Sequence, residues 1–151
     1  ERWLGYYECM SESKVYLDGT LSKILDFSVI NPMMENYILR NNFDEIKKIL
    51  SKIKKMPSAW MGCNDMHAIC LKNALESMGY RIPEDISIIG FDDIDLCTMV
   101  TPALTTIYVN KELMGKTAVR RLLWRIDNIN APFEKISMAV SLVERNSVIA
   151  V

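Results

Sequence analysis

Apolar residues recur at helical spacing in several parts of the chain. Within 44–55, Ile46, Ile49, Leu50 and Ile53 share one face while lysines occupy the other. The same spacing predicts helices over 2–12, from Asn31–Pro32 onwards, from Asn64 or Asp65 to Gly79, and over 111–126. The lysines of 44–55 are typical of a solvated helix face rather than of a nucleic-acid-binding patch.

Short apolar runs between these helices predict strands. They cover 23–30, 58–63, 86–91, 104–109 and 136–143. Single helices separate most of the consecutive strands, and such crossovers build a parallel sheet with helices on both faces. The predicted fold class is therefore α/β. No repeat or flexible linker divides the chain into independent domains.

Composition narrows the function classes. The chain of 151 residues has 18 basic and 19 acidic residues and a net charge of -1, so charge does not favour nucleic acid or an anionic membrane as a partner. No apolar run approaches the roughly 20 residues needed to cross a bilayer, and no signal peptide opens the chain. We expect a soluble protein. Because it starts at Glu1 without methionine, we also expect it to be a piece of a longer one.

The cysteines and the single histidine do not predict a metal site. Cys9, Cys63, Cys70 and Cys97 contain no CxxC motif, and His67 does not complete a usual zinc set with them. We expect reduced thiols, no metal and no cofactor. Reduced thiols favour the cytosol, although an even number of cysteines is compatible with disulfides in an oxidising compartment.

Polar residues follow two of the predicted strands. Asn64 and Asp65 come after 58–63, and Asp92 and Asp93 come after 86–91. In open parallel sheets, ligands bind in the crevice beyond the carboxyl ends of strands, so these side chains converge if the two strands are neighbours. Asp65 is expected to cap the following helix, while Asn64 faces the crevice with both donor and acceptor atoms.

Three acids in "SIIGFDDIDL", residues 87–96, leave several readings open. In a solvated acidic loop the side chains of such residues bond local backbone N–H groups. Asp93 is expected to face away from the crevice and hold the loop, and Asp95 is expected to cap the segment that follows. A magnesium-dependent phosphoryl-transfer site lacks its glycine loop, acid/base catalysis by adjacent residues lacks suitable geometry, and His67 has no evident nucleophile beside it. A hydroxyl-rich ligand fits best, since carboxylates accept hydrogen bonds from neighbouring hydroxyls.

The order of these motifs resembles the lactose/galactose-repressor family of bacterial transcription regulators. The similarity is carried by "PSAWMGCNDMHAICLKNALESMGYRIPEDISIIGFDDIDL…TPALTTI", by "GKTAVRRLL" and by "SLVERNS". It covers nearly the whole chain and is loose over 13–56. His67, Cys70 and Val109 depart from the residue types usual in that family.

The resemblance implies a periplasmic-binding-protein-like fold with two lobes. Residues 1–104 and 137–151 would belong to the C-terminal lobe, and residues 105–136 would be a crossover and a helix of the N-terminal lobe. It also implies ligand-binding roles for Arg2, Asn64 and Asp92. Phe27 would stack on a sugar ring, although a core position for Phe27 is equally compatible with the sequence.

We therefore expect a non-enzymatic, cytoplasmic effector-sensing segment of a repressor, with no catalytic residue. Its ligand would be a carbohydrate bound between the lobes, its partner a second copy of the chain, and operator DNA would be bound through a helix-turn-helix absent from these residues. The alternatives are an exported sugar-binding protein of the same fold, a magnesium-dependent α/β enzyme using Asp92, and a structural interaction module.

Overall fold

The computed structural model describes residue 8 and residues 43–150. The helices in the second range are α1 (Asp44–Leu50), α2 (Asp65–Ser77), α3 (Leu96–Met99) and α4 (Lys111–Asp127). The strands are β1 (Ala59–Met61), β2 (Ser87–Ile89), β3 (Thr106–Tyr108) and β4 (Ser141–Val143). The helix predicted at 2–12, the strand at 23–30 and the helix after Pro32 lie outside the described residues, apart from Glu8, which is helical.

A parallel pair of strands forms the centre of the described fold. β1 pairs with β2 in parallel, with Trp60 opposite Ile88, and α2 is the crossover between them. The strand direction continues outward, because Ile89 and Thr105 form a parallel bridge. The predicted α/β class, with parallel strands and intervening helices, is confirmed.

The end of α2 shows why a glycine follows it. Gly79 has φ +93, its N–H donates to Glu76 O, and the next N–H, of Tyr80, donates to Leu75 O. This pair of bonds is a Schellman motif, in which a left-handed residue satisfies the last carbonyls of the helix. The helix end at Gly79 was predicted from the sequence and is confirmed.

Several predicted elements are longer than those observed. After Leu50 the backbone bonds shorten to three-residue spacing, from Lys52 N to Ile49 O and from Ile53 N to Leu50 O, so α1 ends well before residue 55. The strand predicted over 136–143 is wrong for 136–140, which lies in no strand ladder, and only β4 pairs with β3. This pairing is antiparallel, whereas the sequence predicted only parallel strands.

The hydrophobic core lies between α2 and the strands. Its buried members are Leu50, Trp60, Ala68, Ile69, Ala74, Leu75, Ile82, Ile86, Ile88, Cys97 and Leu104. α4 contributes to none of it, since no residue of this helix is buried. Large apolar side chains are therefore exposed along α4, namely Leu113, Met114, Val119, Leu122, Leu123, Trp124 and Ile126.

Candidate functional site at the carboxyl ends of the strands

The polar residues that follow β1 and β2 lie side by side. The strands are direct neighbours, and the N–H of Asp65 donates to the carbonyl of Phe91 at 2.9 Å. This bond holds the start of α2 against the segment that leads into Asp92. The predicted convergence of the two strand ends is therefore confirmed.

Asn64 is the N-cap of α2. Its backbone is extended, and its side-chain Oδ1 accepts a hydrogen bond from the N–H of His67 at 2.9 Å. The sequence predicted that Asp65 would cap this helix and that Asn64 would precede the cap, and that assignment is wrong by one residue. Asn64 caps through its oxygen alone, so its amide nitrogen takes no part in the cap.

Asp65 is fully buried and joins three parts of the chain. Its Oδ1 accepts from the hydroxyl of Thr106 at 2.5 Å, and its Oδ2 accepts from the N–H of Ile94 at 2.9 Å. Burial, and then the hydrogen bond to Asp65, raise the pKa of the Cys97 thiol to about 12. The carboxylate thus anchors the loop after β2 and strand β3 to the start of α2.

Gly90 makes room for that carboxylate. A Cβ at this position would lie 2.1 Å from Asp65 Oδ1 and 2.9 Å from Leu104 Cδ2. Because real Cβ atoms do not approach other atoms so closely, any larger residue would displace Asp65 or the strand. The glycine in "IIGFDD" is therefore required by packing at the site.

Asp92 and Asp93 both have left-handed backbone. Their φ angles are 111° and 51°, which for residues other than glycine costs about 1 to 3 kcal/mol each. The surrounding bonds impose the conformation: Asp92 N–H donates to Ile107 O at 2.9 Å, and Lys111 Nζ donates to the carbonyls of both aspartates. The turn directs the chain across the end of β3, where Asp92 and Tyr108 form a bridge.

The side chain of Asp93 has a structural role. Its Oδ1 accepts from Arg145 Nη2 at 2.7 Å, and both side chains are mostly shielded from solvent. Arg145 also donates to Leu104 O at 2.8 Å and, through its N–H, to Thr105 Oγ1 at 2.9 Å. Asp93 therefore holds the loop to the segment after β4, as the sequence predicted.

Asp95 does not cap α3 through its side chain, and Val109 is buried. Asp95 occupies the N-cap position of α3, but its side chain makes no capping bond, so the predicted capping role is wrong. Its backbone carbonyl instead accepts from Thr98 N and Oγ1. Val109 is buried, which agrees with its apolar character and gives this position no polar group at the site.

Two of the predicted ligand-binding residues, Arg2 and Phe27, lie outside the described residues. Asn64 and Asp92 follow the neighbouring strands β1 and β2, and the residues beside them are joined by the bond from Asp65 N to Phe91 O. Among the described residues, no three His, Cys, Asp or Glu side chains are grouped so as to hold a metal ion. No helix within residues 43–150 has the length and apolar character to span a membrane.

Sequence reasoning missed a cysteine–histidine pair beside Asn64. Cys63 Sγ and His67 Nδ1 are in hydrogen-bonding contact, and both residues are partly exposed. Burial lowers the pKa of His67 from its usual 6.5. Local pattern did not identify this pair, because Cys63 precedes the N-cap Asn64 and helical i, i+4 spacing does not apply across the helix start.

Known proteins are similar in sequence to nearly the whole chain. Residues 1–148 match the model of the periplasmic binding protein-like domain. The HTH-type transcriptional repressor PurR of Vibrio atlanticus is 32% identical over 98% of the chain, and the ribose operon repressor of Haemophilus influenzae is 33% identical over 97%. The chain spans 41% of the length of each of these relatives.

Solved structures of transcriptional regulators are also similar to this chain. A LacI family regulator from Enterococcus faecalis with bound ribose is 36% identical, covers 70% of this chain and 39% of its own, and has a TM-score of 0.61. The lac repressor dimer bound to operator and an anti-inducer is 32% identical, covers 72% of this chain and 37% of its own, and has a TM-score of 0.63. A CelR–cellobiose complex, 23% identical, covers 97% of this chain and 42% of its own at a TM-score of 0.74, which shows the shared fold.

The sequence similarity and the observed order of strands and helices both point to one family. The chain belongs to the periplasmic binding protein-like domain family, as part of the effector-binding domain of LacI-family transcriptional regulators.

Proposed function

We propose that this chain is a sugar-sensing segment of a bacterial transcription repressor and that it has no catalytic activity. The observation that carries the proposal is the junction of Asn64 and Asp92 through the bond between Asp65 N and Phe91 O. Asn64 and Asp92 follow the carboxyl ends of two neighbouring parallel strands, and this position supports the proposal because open α/β sheets bind ligands there.

The chemistry of the two side chains suits a hydroxyl-rich ligand. The amide of Asn64 donates and the carboxylate of Asp92 accepts, so together they match the donor and acceptor character of a sugar hydroxyl. A hydrogen bond to the charged group would contribute about 1.5 to 3 kcal/mol. Arg2 and Phe27 complete the proposed set, with Arg2 binding a polar group and Phe27 stacking on the sugar ring.

We assign residues 1–104 and 137–151 to one lobe and residues 105–136 to a crossover and helix of the other. The exposure of α4 supports this assignment, because a helix with no buried residue and many apolar side chains lacks packing partners among the described residues. The return of β4 to pair with β3 supports a last strand that comes back from the other lobe.

In the whole repressor, closure of the two lobes around the sugar would change the relative orientation of two subunits and thereby their affinity for operator DNA. Such coupling requires a ligand that binds one global state better than the other. DNA contacts would come from a helix-turn-helix outside this chain, and the protein would act in the cytoplasm as a homodimer. The lac repressor structure with operator is that of a dimer, which supports this arrangement.

A thermal-unfolding screen tests the proposal. Ribose, other monosaccharides, disaccharides, purines and phosphosugars would each be added to the purified chain. A ligand present at 100 times its dissociation constant should stabilise the fold by about 2.7 kcal/mol. If no sugar raises the melting temperature of the chain or of the longer protein that contains it, the proposal is wrong.

Adjacent aspartates provide a matched pair of variants. Asp92→Asn should remove the sugar-induced stabilisation, since the amide cannot accept with both of its side-chain polar atoms. Asp93→Asn should retain it, because this side chain bonds Arg145. Loss of binding in Asp93→Asn but not in Asp92→Asn would contradict the assigned site. Magnesium-dependent turnover of any phosphorylated compound that vanishes in Asp92→Asn would favour the enzyme alternative.

A further inference from the structure

We infer that Cys63 is a site of reversible thiol modification, activated by His67, at the edge of the proposed sugar site. The group added would come from a low-molecular-weight disulfide. The effect of such a modification on sugar binding rests on the proposed function, whereas the reactivity of Cys63 does not.

The geometry supplies a nucleophile and a proton acceptor. Cys63 Sγ and His67 Nδ1 are in hydrogen-bonding contact, and the backbone N–H of His67 donates to Asn64 Oδ1 at 2.9 Å. The N-cap therefore holds the backbone of His67 in place beside the sulfur. A thiol in hydrogen-bonding reach of an imidazole is the arrangement that activates cysteine in many reactive sites.

The protonation state of the imidazole agrees with this role. Burial lowers the pKa of His67, so the ring is neutral at pH 7. A neutral imidazole accepts a proton at the nitrogen that carries no hydrogen. In the tautomer with its hydrogen on Nε2, that nitrogen is Nδ1, the atom in contact with the thiol.

The exchange balances without any further reactant. The Cys63 S–H proton passes to His67 Nδ1 while the sulfur attacks one sulfur of the small disulfide. The disulfide S–S bond breaks, a new S–S bond joins Cys63 to the incoming half, and the leaving thiolate takes the proton from the imidazolium. Cys63 is oxidised to a mixed disulfide, and the leaving sulfur is reduced to a thiol.

The other described cysteines provide an internal comparison. Cys70 and Cys97 are buried, and burial raises the pKa of each thiol to about 12. Their thiolate population at neutral pH is therefore negligible, and reagents do not reach them in the folded state. Cys63 is the partly exposed thiol of the three.

Modification of Cys63 should affect sugar binding because of where Cys63 lies. Cys63 immediately precedes Asn64, the residue that caps α2 and offers its amide to the sugar. A bulky group on Cys63 would lie next to that amide and would disturb the cap. Modification should therefore weaken or abolish sugar binding, and reduction should restore it.

Glutathione disulfide is the probe for the test, with the chain in a Cys9→Ser background because Cys9 lies outside the described residues. Peptide mapping by mass spectrometry follows the rate at each cysteine. We expect Cys63 to form the mixed disulfide at least about tenfold faster than Cys70 or Cys97. Equal rates at the three positions would overturn the inference without any further variant.

His67→Gln tests the role of the imidazole, and Met66→Leu is the matched control on the same turn. His67→Gln should slow modification of Cys63 by about tenfold, while Met66→Leu should leave the rate unchanged. Circular dichroism verifies that both variants are folded. An unchanged rate in folded His67→Gln contradicts activation by the histidine, and a His67→Gln chain that does not fold leaves the comparison of the three cysteines to decide.

Sugar binding forms a separate arm. The thermal stabilisation by an active sugar from the screen should disappear after Cys63 is modified and return after treatment with dithiothreitol. Stabilisation that persists on the fully modified chain would show that the modification does not regulate the site. If no sugar stabilises the chain at all, the proposed function fails, while the order of cysteine reactivity still decides whether Cys63 is activated.

Discussion

The carboxylate of Asp65 accepts a hydrogen bond from the hydroxyl of Thr106, and both side chains are fully buried. The two residues are 41 positions apart, on α2 and on β3. Since the same carboxylate also accepts from Ile94 N–H, one side chain joins the two strand ends of the proposed site to the strand beside them.

Removing this carboxylate should destabilise the fold. Asp65→Ala leaves the Thr106 hydroxyl and the Ile94 N–H without their acceptor, so we expect the free energy of unfolding to fall by about 2 to 4 kcal/mol. Urea titration measures this change. Asp95→Ala is the control, because Asp95 is exposed and its side chain makes no capping bond. Equal effects of the two substitutions would contradict the anchoring role of Asp65.

Two glycine substitutions should act in opposite directions. Gly90→Ala places a Cβ 2.1 Å from Asp65 Oδ1, and the resulting overpacking should cost about 1 to 3 kcal/mol. Gly115→Ala, inside α4, meets no atom within 4 Å and should stabilise by about 0.5 to 1 kcal/mol. Chemical denaturation of both variants measures whether the free energy of unfolding falls or rises. An unchanged free energy of unfolding in Gly90→Ala would show that Asp65 is not confined by the strand.

The capping role of Asn64 and its proposed sugar-binding role should be separable by substitution. Asn64→Ala should lower the free energy of unfolding by about 1 kcal/mol because it removes the acceptor of the His67 N–H bond. Asn64→Ser keeps a capping oxygen and should be close to the unsubstituted chain in stability, but it lacks the amide and should bind the sugar more weakly. Calorimetric titration distinguishes the two roles, and full sugar affinity in Asn64→Ser would remove Asn64 from the proposed site.

Lys111 should maintain the left-handed turn. Lys111→Met removes the donor to the carbonyls of Asp92 and Asp93, and we expect a loss of about 1 to 2 kcal/mol in unfolding free energy. Lys116→Met on the same helix is the matched control. It breaks an exposed pair with Glu112, which contributes less than about 1 kcal/mol. Hydrogen exchange of the N–H of Asp92 should rise in Lys111→Met and remain unchanged in Lys116→Met.

Alkaline pH should destabilise the protein through its buried thiols. Burial raises the pKa of Cys70 from 9.0 to about 12, so above pH 9 the unfolded chain loses this proton while the folded chain keeps it. Stability therefore falls as the pH rises from 9 towards 12, by up to about 1.4 kcal/mol per pH unit for the group. Urea midpoints between pH 8 and 10.5 measure the slope, and Cys70→Ala should reduce it to the part that Cys97 contributes. An identical slope in Cys70→Ala would show that this thiol ionises equally in both states.

Local signals were sufficient for much of the fold. Gly79 predicted the left-handed C′ residue after α2 because that requirement is local. The polar residues after β1 and β2 were predicted to converge because parallel strands end at one edge of the sheet. Element lengths were less accurate. The segment 136–140 alternates like a strand but has no partner in the described part of the chain, and strand formation requires one.

The roles of individual polar residues depended on contacts that local pattern does not contain. Asn64 and Asp65 are both suited to capping, and the structure assigned the cap to Asn64 because Asp65 is turned inward to Thr106. Likewise, the bond from Cys63 to His67 became evident only when the helix start was known to lie between them.

By itself, the sequence determined the α/β class, the family and the edge of the sheet at which polar groups collect, because these follow from periodicity and from residue types in a fixed order. Tertiary structure decided which aspartate is buried and which binds Arg145, because all aspartates have the same chemistry. Their roles differ in the partners that distant segments bring to their side chains: Thr106 to Asp65 and Arg145 to Asp93.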